Sequence, residues 1–164
     1  MSRGELRLVV NTSPLIHLAE AGRLDLLQAA APTVWVPEPV AREIRAYGPQ
    51  DPAAQALAAH KWLEVQTVPA LSAQVLAWDL GAGESAVLEL SRAFPGSTAL
   101  IDDLAGRRCA EALGVPLRGT VGLVLAAKQA GRILAARPVL EQLRDRGMYL
   151  SDAVLQRALR LVDE

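Results

Sequence analysis

Carboxylate and amide side chains stand at the ends of two apolar runs and within two amphipathic stretches of this sequence. Asn11 ends the first apolar run, and Asp102 and Asp103 end the fourth. Glu43 lies in the stretch that follows the second run, and Glu84 lies in the stretch that precedes the fourth. Carboxylates brought together repel one another unless a cation neutralises them, and oxygen donors suit a hard ion such as Mg²⁺ or Mn²⁺. The residue types therefore indicate a divalent-cation site able to activate water and to stabilise charge on a phosphodiester.

Each of these acids also has an ordinary structural interpretation. Asp102 and Asp103 precede a helical pattern, where an aspartate commonly caps the helix and complements its dipole. Glu84 is favoured in a first helical turn for the same electrostatic reason. Glu43 has the features of an exposed helix residue next to Arg42. Spacing alone leaves both interpretations open for all four acids.

Five short apolar runs alternate with helical patterns along the chain. They occupy residues 6–10, 33–36, 62–65, 98–101 and 115–117. Continuous apolar strands between helices are typical of a parallel sheet that is covered on both faces. We therefore predict an α/β fold with one domain over residues 1–164, a three-layer α/β/α sandwich with a mostly parallel five-stranded sheet and extra C-terminal helices. In such sheets ligands bind outside the carboxyl ends of the strands, where the candidate side chains stand.

Helix starts are expected at residues that favour caps. Ser13 is expected to cap the first helix, with Pro14 at the first helical position, and Thr120 is expected to cap a later helix. Cys109 falls on an apolar helical stripe and is expected to be a buried, unreactive thiol. The helix that opens at residues 81–84 has an apolar stripe at helical spacing, formed by Ala86, Val87, Leu90, Ala93 and Phe94.

Composition excludes several classes of protein. Of 164 residues, 51% are apolar and 21% are charged, which is typical of a globular rather than a disordered chain. The 17 basic and 18 acidic residues give a net charge of −1, which excludes a strongly basic nucleic-acid coat but not a local basic patch. One cysteine and two histidines exclude a disulfide framework and a metal centre rich in cysteine or histidine.

Hydropathy predicts a protein of a reducing, cytoplasmic compartment that does not enter a membrane. The longest apolar run, residues 122–127, is far shorter than the roughly 18 residues of a membrane span. Residues 1–7 carry charges, and the apolar stretch after them breaks at Asn11, so no signal peptide is expected.

Six short stretches occur in one order along the chain. They are VVNTSPLI (9–16), VPEPVAREI (36–44), GESA (83–86), LIDD (100–103), LRGTVGL (117–123) and GMYLS (147–151). In this order they resemble a PIN domain and, more narrowly, the uncharacterised bacterial and archaeal PIN-like branch related to VapC toxins. The resemblance covers almost the whole chain and depends on the combination, since no single stretch is specific.

The resemblance implies a ribonuclease fold that depends on Mg²⁺ or Mn²⁺ and is often the toxin half of a toxin–antitoxin pair. It places the first family acid, at the end of the first strand, on Asn11. The second acid, in the helix after the second strand, falls on Glu43, and the third falls on Glu84. The fourth falls on Asp102 or Asp103. The resemblance thus implies a metal held by the four acids, with Asn11 as a neutral ligand or hydrogen-bond partner.

Asparagine at position 11 departs from the family pattern. An amide offers a carbonyl oxygen but brings no charge and cannot act as a base, so metal affinity should be weaker than with an aspartate. The branch admits asparagine here, so loss of activity does not follow. Residual activity, altered metal preference and pure RNA binding all remain open.

The resemblance also implies groups on the substrate side. Thr120 matches a hydroxyl position of the branch, and we expect Ser13 and Thr120 to face the substrate. Several arginines near the strand ends could contact phosphates. They are Arg42, Arg45, Arg107, Arg108 and Arg118. The chain is rich in arginine throughout, so no single one is favoured.

The leading hypothesis is hydrolysis of RNA by a metal-dependent endoribonuclease, with RNA, a cognate antitoxin and a second copy of the chain as expected partners. The alternative is a catalytically weak PIN-like module that binds RNA or a protein, which Asn11 and the mean hydropathy of +0.20 favour. A receiver-like phosphoacceptor that uses Asp102 and Asp103 ranks last. The acids of that fold follow its first strand, whereas these follow the fourth.

Overall fold

The computed structural model describes residues 6–164, and its centre is a sheet of five parallel strands. The strands are β1 (Arg7–Val10), β2 (Val34–Pro37), β3 (Leu63–Gln66), β4 (Ser97–Leu100) and β5 (Leu117–Arg118). The helices in this part of the chain are α1 (Thr12–Glu20), α2 (Asp25–Ala30), α3 (Glu38–Arg45), α4 (Pro52–Ala59), α5 (Ala73–Leu76), α6 (Ala82–Ala93), α7 (Leu104–Ala112), α8 (Thr120–Gln129), α9 (Arg137–Asp145) and α10 (Asp152–Arg160).

The strand order in the sheet is β3-β2-β1-β4-β5, so the chain builds outward from β1 on one side and then returns to build on the other. The order therefore reverses between β1 and β4, and such a reversal is where parallel α/β sheets bind ligands. The register sets Val10 beside Leu100, and the backbone N–H of Asn11 donates to the Leu100 carbonyl at 3.0 Å. The residues that follow β1 and β4 hence leave the sheet side by side.

Helices cover both faces of the sheet, which explains why its strands are apolar at consecutive positions. Leu8, Val9 and Val10 of β1 are all fully buried. Most residues of α6 between 83 and 91 are buried, because this helix contacts β1, β2 and β4 as well as α3, α5 and α7. The predicted α/β/α sandwich with a parallel five-stranded sheet is confirmed, and α9 and α10 are the extra C-terminal helices.

The expected caps at Ser13 and Thr120 are wrong. Helix α1 begins at Thr12, and Asn11 occupies its cap position. Helix α8 begins at Thr120 itself, and Gly119 occupies the cap position. Ser13 is the second residue of α1 and so cannot cap it. At Thr120 the reason is tertiary, because its hydroxyl bonds to Asp102 rather than to the helix backbone.

Three smaller expectations also differ from the structure. Pro14 is the third residue of α1 rather than the first. Ala93 and Phe94 are exposed at the end of α6 instead of completing its buried stripe, and the Phe94 ring meets Trp35 edge-on with centroids 4.7 Å apart. Strand β5 begins two residues later than the expected 115–117, since the proline in that run has no N–H to donate to the sheet.

Helix α5 has no counterpart in the sequence analysis. Ser72 caps it through its side chain, and the same hydroxyl donates to Glu89 of α6 at 2.9 Å. Arg92 of α6 donates to the Ser72 hydroxyl at 2.8 Å, and Glu89 is only 9% exposed. This partly buried link ties the segment that precedes α6 to the second half of that helix.

Cys109 is fully buried, and burial raises the pKa of its thiol, in agreement with the expected unreactive cysteine.

None of the helices formed by residues 6–164 is long and apolar enough to cross a membrane. Residues 1–5, which belong to the segment where no signal peptide is expected, lie outside the described residues.

Candidate active site at the strand switch

The candidate residues meet at the edge of the sheet where β1 and β4 end. Asn11 directly follows β1, and Asp102 comes two residues after the end of β4. Glu43 lies on α3, which begins where β2 ends, and Glu84 lies in the first turn of α6. Because α6 leads into β4, its first turn lies at the carboxyl edge of the sheet. Side chains from four parts of the chain thus come to one edge of the sheet, where they form two separate hydrogen-bonded groups.

The first part, which we call the amide half, consists of Asn11, Thr12, Glu43 and Glu84. Asn11 Nδ2 donates to Glu84 Oε1 at 3.1 Å. Thr12 Oγ1 donates to Glu43 Oε2 at 2.7 Å. Asn11 and Thr12 are buried, whereas Glu84 is half-buried and Glu43 is exposed. Two buried side chains therefore hold two carboxylates that remain accessible from solvent.

The carbonyl oxygen of Asn11 is the unusual atom of this half. Asn11 is 2% exposed, and its Oδ1 has no hydrogen-bond partner among residues 6–164. Although Asn11 occupies the cap position of α1, its side chain makes no cap bond. An unpaired buried acceptor costs about 1–3 kcal/mol, and such an atom is typical of a position that receives a water or an ion.

Gly83 keeps the space beside this oxygen open. A Cβ atom at Gly83 would lie 3.1 Å from Asn11 Oδ1 and 3.3 Å from Glu43 Oε2. The unpaired amide oxygen and a carboxylate oxygen therefore approach the same point on α6. Any side chain at position 83 would crowd both oxygens.

The second part, which we call the Asp102 half, consists of Asp102, Gly119 and Thr120. The Thr120 backbone N–H donates to Asp102 Oδ1 at 2.7 Å, and the Thr120 hydroxyl donates to Asp102 Oδ2 at 2.6 Å. Thr120 is fully buried, so its hydroxyl holds Asp102 in place. A Cβ atom at Gly119 would lie 3.1 Å from Asp102 Oδ1. Both carboxylate oxygens are thus satisfied at the start of α8.

Asp103 has a different task from Asp102. Its Oδ2 accepts a hydrogen bond from the backbone N–H of Gly106 at 2.8 Å, so Asp103 caps α7. A Cβ atom at Gly106 would lie 3.5 Å from Glu84 Cγ and 3.6 Å from Asp103 Oδ2, which makes Glu84 and Asp103 neighbours across the start of α7. Of the two interpretations left open for the aspartate pair, capping describes Asp103, and Asp102 instead contacts Thr120.

The sequence as a whole matches one protein family. The family model DUF3368, described as a PIN domain, matches residues 7–164. The chain belongs to the PIN-domain family. PIN domains are generally nucleases and typically use divalent metal ions. A comparison with curated proteins found no match.

The oxygen donors of this PIN domain suit a hard divalent cation by type, although the acids do not form one preassembled cluster. Among residues 6–164, no three Asp, Glu, His or Cys side chains form a group that could hold a metal ion. In the amide half, the free Asn11 oxygen and the carboxylates of Glu43 and Glu84 lie around the first turn of α6. The amide half therefore fits a cation, because its Asn11 oxygen is unpaired. Asp102 accepts hydrogen bonds at both oxygens and Asp103 accepts one at Oδ2, and the expected contact of these two aspartates with a metal stays a prediction.

Arg107 lies beside the Asp102 half. Its Nη1 donates to the Ile101 carbonyl at 3.1 Å and would be 2.6 Å from a Cβ atom at Gly119. Arg107 and Arg118 both line a groove next to the Asp102 half. The other arginines that sequence analysis placed near the strand ends are exposed on α3 and α7: Arg42, Arg45 and Arg108.

Three residues of this PIN-domain site had no role predicted from the sequence: Thr12, Gly83 and Gly119. For Gly83 a signal was available, because glycine inside a helix costs up to about 1 kcal/mol relative to alanine and this one precedes a candidate acid. Nothing along the chain pairs Thr12 with Glu43. Ser13 is exposed on α1, and its contact with a substrate stays a prediction. Thr120, which was also expected to face the substrate, is fully buried beneath Asp102 and does not reach the surface.

Proposed function

We propose that this PIN domain is a ribonuclease that depends on Mg²⁺ or Mn²⁺ and hydrolyses phosphodiester bonds of RNA. One observation carries the proposal: the buried, unpartnered Oδ1 of Asn11 lies with the carboxylates of Glu43 and Glu84 where the strand order reverses. Oxygen donors of this kind bind hard divalent cations. The family membership supports the same chemistry, because PIN domains are generally nucleases.

The residues divide the work of hydrolysis as follows. Asn11, Glu43 and Glu84 would hold the divalent cation, which when bound lowers the pKa of water and offsets charge on the phosphate. Asn11 cannot act as a base, because its side chain is a neutral amide. It positions Glu84 instead, through the hydrogen bond that its amide N–H donates. Thr12 fixes Glu43 in the same way.

On the other side of the site, Thr120 holds the Asp102 carboxylate with two hydrogen bonds, so that Asp102 can orient an attacking water without moving. Arg107 supplies positive charge beside Asp102 for the phosphate group. Water is the nucleophile in this scheme, so no side chain of the protein forms a covalent intermediate.

Cleavage of end-labelled single-stranded RNA in Mn²⁺ tests the proposal. Relative to the unmodified protein, Glu84→Gln and Asp102→Asn should each lower the cleavage rate by about 100-fold or more. Glu20→Gln and Asp145→Asn make the same chemical changes at exposed positions on α1 and α9 and should cleave at the unmodified rate. Equal rates in all five proteins, or undiminished cleavage in excess EDTA, would contradict the proposal.

A second candidate function is supported by the neutral residue at position 11 and by the lack of a group of three acids among residues 6–164. In this case the PIN domain binds RNA or a protein and cleaves poorly. Retained RNA binding, together with a cleavage rate that Glu84→Gln does not lower, would favour this function over the first.

The biological setting that we propose rests on the resemblance to VapC-related proteins. The chain would act as a cytoplasmic toxin that cleaves cellular RNA, form a homodimer and be inhibited by a small antitoxin protein. Induced expression should then arrest growth in the unmodified form but not in the Glu84→Gln form. Equal growth of both cultures would contradict the toxin role while leaving the nuclease test unaffected.

A further inference from the structure

A groove of about 610 Å³ lies against the Asp102 half, with Asp102 and Gly119 among its lining residues. Its lining residues include Asp102, Arg107, Arg118 and Tyr149. The volume falls within the range of about 300–1,000 Å³ that is typical of ligand sites. The groove is therefore large enough for a ligand and shares a wall with the proposed reaction site.

We propose that this groove binds one unpaired nucleotide of the RNA next to the cleaved bond, with the Tyr149 ring stacked on its base and Arg107 and Arg118 on its phosphates. The inference rests on the proposed ribonuclease function for the position of the cleaved bond. Tyr149 has no role in the proposed hydrolysis, and here it gains a role in binding the substrate.

The charges of the groove favour an anionic ligand. Arg107 uses Nη1 for the Ile101 carbonyl, which leaves its other N–H groups available. No ion pair within residues 6–164 involves Arg107 or Arg118. Asp102 is the single carboxylate among the lining residues, so the two arginines outweigh its negative charge. Two guanidinium groups without carboxylate partners suit a phosphate backbone.

Tyr149 is an exposed ring on an anchored backbone. Its exposed fraction is 90%, compared with 8% for Met148 and 7% for Leu150 on either side. The two buried neighbours fix the segment between α9 and α10, so the ring is presented to solvent from a defined position. An aromatic face held in this way can stack on a nucleic-acid base, a contact worth about 1–3 kcal/mol.

The same features favour a single strand over a duplex or a protein. In a duplex each base face is covered by its neighbours, so a ring can stack only on a base that has left the helix. Arginine and tyrosine are also common at protein interfaces, but two arginines without ion-pair partners beside the proposed reaction site favour a polyanion. A single-stranded RNA satisfies both the aromatic ring and the two cations.

Fluorescence anisotropy with a labelled single-stranded oligouridine in EDTA tests the inference without any cleavage. Tyr149→Ala should weaken binding by roughly 5- to 150-fold, and Tyr149→Phe should restore it to within about twofold because the ring remains. Tyr47→Ala removes another exposed tyrosine, which lies just after α3 and outside the groove, and should bind as the unmodified protein does. Arg118→Gln should reduce the salt dependence of binding by about one phosphate contact.

Three results would overturn the inference. The first is an RNA affinity of Tyr149→Ala equal to that of the unmodified protein. The second is a loss of RNA affinity in Tyr47→Ala as large as in Tyr149→Ala, and the third is loss of self-association in Tyr149→Ala with RNA affinity intact.

The inference and the proposed function can fail separately. Cleavage that Glu84→Gln abolishes but Tyr149→Ala leaves unchanged, with unchanged affinity, contradicts only the inference. Binding that depends on Tyr149 without metal-dependent cleavage contradicts only the nuclease.

Discussion

The two halves of the site hold their carboxylates in opposite ways. In the Asp102 half, Thr120 donates to both oxygens of Asp102 and is itself fully buried. In the amide half, Glu43 and Glu84 each accept one bond at an accessible position, and the buried Asn11 oxygen accepts none. One half is satisfied within the protein, and the other contains an acceptor that is left for a water or an ion.

This difference separates a stabilising role from a binding role. A satisfied, buried contact contributes to folding, because removing one partner leaves the other unpaired. An unsatisfied acceptor lowers stability until a ligand arrives, and a ligand that binds only the folded state then stabilises it. We therefore expect substitutions in the Asp102 half to change stability most and those in the amide half to change metal binding most.

The largest effect on stability should come from Thr120→Val, which removes the hydroxyl that donates to Asp102. Because the acceptor is charged and the donor is fully buried, the free energy of unfolding should fall by about 1.5–3 kcal/mol. The matched change in the amide half, Thr12→Val, removes a donor to the exposed Glu43 and should cost less than about 1 kcal/mol, since water replaces the lost bond.

Urea unfolding of both variants measures this difference, and Thr120→Ser is the control that keeps the hydroxyl. Equal losses in Thr12→Val and Thr120→Val would break the distinction between the halves.

A smaller effect, on activity rather than on stability, is expected for Gly83→Ala. Alanine favours the helix by up to about 1 kcal/mol, which offsets the crowding by the new methyl group, so thermal stability should be little changed. The methyl group would lie 3.1 Å from Asn11 Oδ1 and 3.3 Å from Glu43 Oε2, so it should displace both and slow RNA cleavage by about tenfold. A cleavage rate that stays unchanged would show that these two oxygens do not act together.

The smallest effect is expected for Glu164, which lies away from the site. Like Asp102, it accepts a hydrogen bond from the protein at each of its carboxylate oxygens. Its oxygens accept from the backbone N–H groups of Ala136 and Arg137 at 2.6 and 3.2 Å. These bonds, the one from Ala136 first, lower the pKa of Glu164. A lowered folded-state pKa contributes stability above the ordinary pKa of the group, and that stability disappears as the pH falls through the lowered value.

Glu164→Gln should therefore reduce the melting temperature slightly at neutral pH and not at all in acid, with cleavage unchanged. A difference in melting temperature that is the same at both pH values would contradict the assignment.

Sequence patterns predicted the layers and the edge of the site because both follow from local signals. Continuous apolar strands indicate a doubly covered parallel sheet, and Asn11 and Asp102 stand where such strands end. The contacts that divide the site could not be predicted in this way. The bond from Thr120 to Asp102 spans 18 residues and that from Asn11 to Glu84 spans 73, so only the folded chain decides which acid each side chain holds.

The wrong cap at Thr120 has the same origin. Local capping preference favours Ser and Thr just before a helix, but a tertiary bond to a carboxylate wins when the residue is buried. Thr120 is such a case, and its hydroxyl serves Asp102 instead of its own helix.

Calorimetric titration of Mn²⁺ tests most directly whether the amide half holds a cation. The unmodified protein should show one saturable class of sites, which Glu84→Gln should abolish. Asn11→Asp should bind Mn²⁺ more tightly, because it adds a charge where the free oxygen now lies. A titration without saturable binding, or one that neither substitution alters, would contradict the account.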